Sequence, residues 1–201
     1  MNYIIDTIKQ FPCLEVCKKD IERFVDILCD MHKSSGKLLI CGNGGSAADC
    51  EHISGELLKG FLLERKVSES ELPLESEILT KLQKGVPAIP LVSFSSFLTA
   101  YSNDVDGKMS FAQLVFALGR KEDVFLGIST SGNSENVVLA AKTARALGMK
   151  TLALTGENES ELSRICDVTV KVPESETYKI QQLHLPVYHS VCAECERILF
   201  E

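Results

Sequence analysis

Ser129-Thr130-Ser131-Gly132-Asn133-Ser134 crowds four hydroxyl side chains into six residues. The apolar run before it, Val124-Phe125-Leu126-Gly127-Ile128, reads as a buried strand. Val137, Val138, Ala140, Ala141, Ala144 and Leu147 after it read as a helix. A strand that feeds a hydroxyl-rich turn opening a helix suits an anionic group such as a phosphate. The helix N-terminus offers unpaired N–H groups and a partial positive charge, and the hydroxyls add neutral donors. No lysine stands in the turn, so it is not the Gly-Lys-Ser/Thr phosphate loop. The other reading is an ordinary capped turn, because Ser and Asn are good N-caps; one hydroxyl suffices for that.

A second set of residues could move protons or hold a metal. His52 and Glu56 are four positions apart, on one face of a helix. An imidazole and a carboxylate so placed can ligate a metal, transfer a proton, or form an exposed ion pair. Near the C-terminus stand Gln181, His184 and His189. Gln181 and His184 share a helix face, and His189, eight positions from Gln181, lies near it. A partly buried helix with satisfied polar side chains is the plainer alternative.

The elements that must position these groups follow from periodicity. Residues 2–34 are helical by pattern, with Pro12 separating a short helix from a longer one. The longer helix carries an apolar stripe of Ile21, Phe24, Val25, Ile27, Leu28 and Met31 and ends at Gly36. Short apolar runs at Lys37–Cys41, Ala88–Val92, Asp123–Ile128, Lys150–Thr155 and Val168–Val172 read as strands. Helices are expected from the first loop to about Phe61, over Ser95–Ser102, Lys108–Leu118 and Ser160–Ile165, after Ser134, and from Glu176 to the end with an interruption at Pro186. Strands that are apolar throughout and alternate with helices describe a parallel sheet covered on both faces. The 201 residues fit one domain. Residues 1–35 form an N-terminal helical arm that the sheet does not need, a segment suited to packing against another subunit. Residues 62–87, charged and broken by Pro73, form a surface excursion with a short helix near Glu75–Leu82.

Gly42-Asn43-Gly44-Gly45-Ser46 repeats the plan of the hydroxyl loop: strand, small residues, helix start. It approaches a dinucleotide fingerprint, but the strand that should carry the acidic ribose ligand is replaced by the charged excursion, so no nucleotide cofactor is expected. A formal net charge of −7 argues against nonspecific nucleic-acid binding. No apolar run approaches the ~20 residues that span a bilayer. The N-terminus lacks the pattern of a secretory signal. Eight scattered cysteines are then expected to be reduced and the compartment cytoplasmic. Cys192-x-x-Cys195 has no partner pair and is not read as a zinc site.

Three segments taken together resemble a known family. Cys41-Gly42-Asn43-Gly44-Gly45-Ser46-Ala47-Ala48-Asp49 with His52 and Glu56, Gly127–Ser134, and Ile180-Gln181-Gln182-Leu183-His184 with His189 are similar to the phosphoheptose isomerases of the sugar isomerase (SIS) domain family. The likeness runs along nearly the whole chain and includes Asn103-Asp104. It implies an α/β fold with a doubly wound, flavodoxin- or Rossmann-like parallel sheet, and a homotetramer with active sites between subunits. The implied reaction interconverts sedoheptulose 7-phosphate and D-glycero-D-manno-heptose 7-phosphate. By the resemblance Ser129, Thr130, Ser131 and Ser134 hold the phosphate. Asn43, Gly44, Ser46, Asp104 and Gln181 contact the sugar, Glu56 is the base and His189 the acid. Some relatives bind zinc through residues matching His52, Glu56, Gln181 and His189, so Glu56 is claimed by two roles. The chain departs from the family at Lys59-Gly60, where Gly-Arg is frequent, at Lys179, where arginine is frequent, and in a longer 64–86 segment. Such departures leave open another phosphosugar as substrate. Relatives that bind phosphosugars without catalysis, or associate with the replication initiator, keep the phosphate loop and can lose the acid–base pair.

Overall fold

Five apolar runs become strands: β1 (Leu38–Gly42), β2 (Ala88–Pro90), β3 (Val124–Ile128), β4 (Lys150–Thr155) and β5 (Val168–Lys171). The computed structural model describes residues 2–201. All pairings are parallel, in the order β2-β1-β3-β4-β5. Gly42 pairs with Ile128 and Ile128 with Leu154, so the carboxyl ends of the three central strands are level. The winding direction reverses between β1 and β3. In an open sheet this is where the loops part and leave a crevice for a ligand.

The helices are α1 (Tyr3–Gln10), α2 (Lys18–Lys33), α3 (Gly45–Leu58), α4 (Ser76–Leu79), α5 (Ser95–Tyr101), α6 (Ser110–Leu118), α7 (Glu135–Ala146), α8 (Glu161–Ile165) and α9 (Thr177–Phe200). They cover both faces. Leu38, Ile40, Leu126, Leu152 and Leu154 point to one side, against Phe24 and Leu28 of α2, Ile53 and Leu57 of α3, and Val187 and Val191 of α9. Leu39, Cys41, Phe125 and Ala153 point to the other, against Phe111 and Leu114 of α6, Ala140 and Ala144 of α7, and Leu162 of α8. The period-two alternation of strand side chains feeds two cores at once.

Several sequence expectations are corrected. The N-terminal helices are not dispensable to the sheet, since α2 contributes its whole apolar stripe to the first core. That helix ends one residue earlier than expected, with Ser35 in the left-handed conformation (φ 60°). Ser35 N–H bonds His32 O at 3.0 Å and Gly36 N–H bonds Met31 O at 2.9 Å, so Ser35 occupies the position that usually favours glycine. Pro186 does not interrupt α9, which runs unbroken from Thr177 to Phe200. The ring removes one N–H, leaving the carbonyl of exposed Gln182 to solvent, while Ile180, His184, Val187, Tyr188 and Val191 bury the stripe that holds the helix in place. Helix α3 stops at Leu58 rather than Phe61, and β2 gives way to a 3-10 turn at Leu91–Ser93. The excursion is exposed over most of its length, but it is rooted: Arg65 and Glu196 form a buried ion pair at 2.7 Å. No helix among the described residues is long and apolar enough to cross a membrane.

Candidate active site

The hydroxyl run forms the link between β3 and α7. Ser129 is buried, and its Oγ lies 2.9 Å from Ser134 Oγ. Ser134 occupies the N-cap of α7, but its hydroxyl makes no capping bond to that helix. Ser134 therefore does not cap α7 itself: the Val137 N–H of the first turn goes to the Asn136 side chain, and the Ser134 N–H to Ser129 Oγ. Gly132 has φ +64°, and a side chain there would strike Ser160. Leu162 N–H donates to Gly132 O at 3.1 Å and Glu161 N–H to Asn133 Oδ1 at 2.9 Å, so the start of α8 clamps the loop. Thr130 is half-buried and Ser131 exposed.

The loop after β1 lies beside it. Gly44 has φ 56° and ψ −122°, a backbone region that only glycine adopts without strain. Ser46 is buried, with its N–H on Asn43 O at 3.0 Å. Asn43 and Asn136 exchange side-chain amide bonds at 3.0 and 2.9 Å, and Val137 N–H donates to Asn136 Oδ1 at 3.0 Å. These bonds stitch the two loops together across the switch point. Asn136 escaped the sequence reading, because its partner is 93 positions away. Asp104 sits exposed on a π-helical turn at Ser102–Asp106, and its carboxylate accepts from Asn103 Nδ2 at 2.9 Å. Lys108, just beyond it, pairs with Glu135 at 2.9 Å, so this segment flanks the start of α7.

Helices α3 and α9 run side by side and bring a second group together. His52 Nε2 lies 3.3 Å from Glu56 Oε1 and 3.3 Å from His189 Nε2. Lys59 Nζ reaches Glu56 Oε2 at 3.3 Å. Tyr188 packs edge-on against both imidazoles, and its hydroxyl lies 2.9 Å from His52 Nδ1 and 3.3 Å from Asp49 Oδ1. Burial lowers the pKa of His189, and neighbouring His52 adds to this against the opposing pull of Glu56, which favours the neutral imidazole. Burial raises the Asp49 carboxyl, opposed by the Tyr188 hydrogen bond and by His52. The Tyr188 phenol is raised by burial and then by Asp49. Asp49, His52 and Glu56 are spaced by three and four, a helical-face signal that was present in the sequence.

Of the C-terminal trio, only His189 joins this group. Gln181 packs its amide on Gly45, at the first residue of α3 and two turns before His52. His184 is fully buried, with Nε2 3.3 Å from Thr155 O and Nδ1 without a hydrogen-bond partner. It is a core histidine. Burial pushes its pKa down to about 4, against the smaller raising effect of Thr155. Its folded pKa lies below its unfolded value near 6.5. Its contribution to stability is therefore intact at pH 7 and lost as pH falls from about 6.5 toward 4. Urea midpoints at pH 7 and pH 5 should show a loss that is smaller in His184→Gln; equal losses would contradict this.

The SIS domain family matches residues 3–156. Phosphoheptose isomerase from Helicobacter pylori strain P12 is 40% identical over 184 residues, covering 92% of this chain and 86% of that protein. Phosphoheptose isomerase from Maridesulfovibrio salexigens is 40% identical over 195 residues, covering 94% and 86%. The chain belongs to the phosphoheptose isomerase family. The solved structure of phosphoheptose isomerase GmhA from Neisseria gonorrhoeae superposes with a TM-score of 0.78 at 30% identity, covering 96% of this chain and 94% of that one. The SIS match ends at residue 156, whereas the structural likeness to the isomerase continues through nearly the whole chain, including α9 with His189. Phosphoheptose isomerases are aldose–ketose isomerases, so the chain is an enzyme of that class.

Proposed function

We propose that this chain interconverts sedoheptulose 7-phosphate and D-glycero-D-manno-heptose 7-phosphate through a cis-enediol. The observation that carries the reading is the convergence of Glu56, His52 and His189 within 3.3 Å steps on a fold whose switch point presents the hydroxyl loop. Ketose-to-aldose conversion removes a proton from C1 and returns one to C2. Glu56 takes the carbon-bound proton. His189 gives a proton to the O2 carbonyl oxygen and takes one from O1. A neutral imidazole suits this exchange, because it can donate and accept in turn.

Ser129, Thr130, Ser131 and Ser134 hold the phosphate with the α7 N-terminus, and Asn43, Gly44, Ser46, Gln181 and Asp104 contact the sugar. Glu56 follows Gly45 by three turns of α3, about 16 Å along the axis. A fully extended heptose phosphate spans only about 10 Å from C1 to phosphorus. This mismatch supports a site assembled between subunits of a homotetramer, where the phosphate loop of one protomer meets the acid–base group of another. Eight free thiols, six of them buried, support a reducing cytoplasmic setting.

Zinc fits the donor chemistry. Two imidazole nitrogens and a carboxylate oxygen are zinc ligands, and donors sharing a tetrahedral zinc stand roughly 3.3 Å apart. His52, Glu56 and His189 would hold the ion; Gln181, engaged at Gly45, stands outside this set. Among the described residues no three His, Cys, Asp or Glu side chains stand in an arrangement that holds a metal ion, so these three would have to move to share one. Bound zinc would polarise the substrate carbonyl.

The test is turnover of a phosphosugar panel by metal-stripped and zinc-loaded protein. Turnover of sedoheptulose 7-phosphate supports the reading, and a preference for another phosphosugar or no turnover at all overturns it. Thr130→Val should lower kcat/KM about tenfold or more, chiefly through KM, because it removes a hydrogen bond to a charged group. An unchanged KM would remove Thr130 from phosphate binding.

A further inference from the structure

We propose that the cleft between α1 and α9 beside His189 is a subsite for the uncharged, hydroxylated carbon chain of the substrate, where Gln10 and Gln182 recognise its hydroxyl groups. The proposal rests on His189 as the acid of the reaction and says which side of that imidazole the sugar occupies. The cleft measures about 280 Å³, just under the usual span of about 300–1,000 Å³ for small-molecule sites. Thr7, Gln10 and Phe11 line it from α1, and Gln182, Leu185, Pro186 and His189 line it from α9. Each set is one stripe, spaced by three and four along its helix. The two helices run antiparallel. Tyr3 N–H donates to Glu194 at 3.0 Å toward one end, and Phe11 shares the cleft with Leu185 and Pro186 toward the other. Ile4 and Ile8 are buried, so α1 is a fixed wall of this cleft.

The packing of His189 gives the direction. Its ring stands 4.9 Å from that of His52, 5.1 Å from that of Tyr188 and 5.5 Å from that of Phe61, between centroids. Those three neighbours are protein, whereas the cleft that His189 also lines is empty space. A sugar presenting O1 and O2 to His189 finds room for its next carbons there. Its phosphate then continues to the hydroxyl loop of a neighbouring protomer.

The lining selects the class of ligand. It carries two primary amides, one hydroxyl and one imidazole, and no lysine, arginine or carboxylate. Such a set offers a phosphate no cationic partner, but amides both donate and accept, as a polyol requires. Phe11, Leu185 and Pro186 supply apolar surface for the C–H faces of the chain, in the usual mixture of a ligand cleft. A backbone acceptor belongs to the same wall. Pro186 has no N–H to give Gln182 O, and both ends of that missing helical bond line the cleft. A proline inside a helix costs stability, and here it leaves a carbonyl for a substrate hydroxyl.

Calorimetric titration of the full-length chain tests the subsite with two probes. Heptitol 7-phosphate, made by reducing the carbonyl of sedoheptulose 7-phosphate, keeps the hydroxyls and the phosphate but cannot isomerise. Inorganic phosphate has no carbon chain. The variant Gln10→Leu/Gln182→Leu changes two exposed side chains, so the fold is spared. It should bind heptitol 7-phosphate about five- to a hundredfold more weakly, the loss of two neutral hydrogen bonds, and inorganic phosphate within about twofold of wild type. In turnover the loss should fall on KM. Pro186→Ala restores the N–H to Gln182 O. It should raise the urea midpoint yet weaken heptitol 7-phosphate about two- to tenfold, a pairing that misfolding cannot produce. Wild-type affinity for heptitol 7-phosphate in either variant would overturn the proposal. So would an equal loss for inorganic phosphate, or a wild type that binds the heptitol no more tightly than inorganic phosphate. These measurements need no turnover. The expected losses in a chain without isomerase activity would sink the proposed reaction and leave the subsite standing.

Discussion

Glu56→Gln should lower kcat about a thousandfold or more while leaving the affinity for sedoheptulose 7-phosphate within about threefold. The amide has the shape of the carboxylate but cannot take a proton from carbon, and positioned general bases contribute about 10²–10⁴-fold. Nothing in the fold depends on the negative charge. The side chain is 17% exposed, and its partners are the side chains of His52 and Lys59. Arg65 bonds the main-chain carbonyl of Glu56, which the substitution leaves in place. Steady-state kinetics give kcat, and calorimetric titration of the variant with substrate gives affinity. A variant within tenfold of wild-type kcat would remove Glu56 from the base role. A variant that loses affinity as steeply as rate would make Glu56 a binding group instead.

The parts of this site that repeat locally were legible in the sequence. Strands buried on both faces must be apolar throughout, so Leu38–Cys41 and Val124–Ile128 announced themselves. The hydroxyls from Ser129 to Ser134 and the four-residue spacing of His52 and Glu56 are equally local. Pairings across the chain leave no such trace. Tyr188 meets Asp49 over 139 positions, and Arg65 meets Glu196 over 131. Local rules also misled where packing overruled them. Pro186 breaks helices in isolation, yet α9 is held by its buried stripe. Gln181, His184 and His189 share a helix, yet one lies at the tip of α3, one in the core and one beside His52. The twist of α9 and its two neighbours separates them, and spacing alone gives no measure of that.

Glu196→Gln should destabilise the fold by about 3–5 kcal/mol, the usual cost of breaking a buried ion pair by removing one partner. The carboxylate accepts from Arg65 Nε at 2.7 Å and from the backbone N–H groups of Phe61, Leu62 and Leu63 at 2.7, 2.7 and 3.0 Å. Arg65 is equally enclosed and sends Nη1 to Leu57 O at 2.8 Å. Burial alone would raise the Glu196 pKa, but the Phe61 and Leu62 donors and Arg65 outweigh it and hold the carboxyl below its usual range. A depressed folded pKa gives stability that is present above the unfolded value near 4.3 and lost as pH falls through the folded one. The amide keeps one acceptor oxygen, loses the charge, and leaves the guanidinium buried without its counterion. Arg65→Met should cost less, because the carboxylate keeps its three backbone donors. Urea unfolding at pH 7 measures both. Equal losses, or a Glu196→Gln loss below about 1 kcal/mol, would show that the pair is not what roots residues 59–65. Those residues follow directly on the last turn of α3, where Glu56 lies. The variant should therefore also lose activity at temperatures below its melting transition, as the end of α3 loosens before the sheet does.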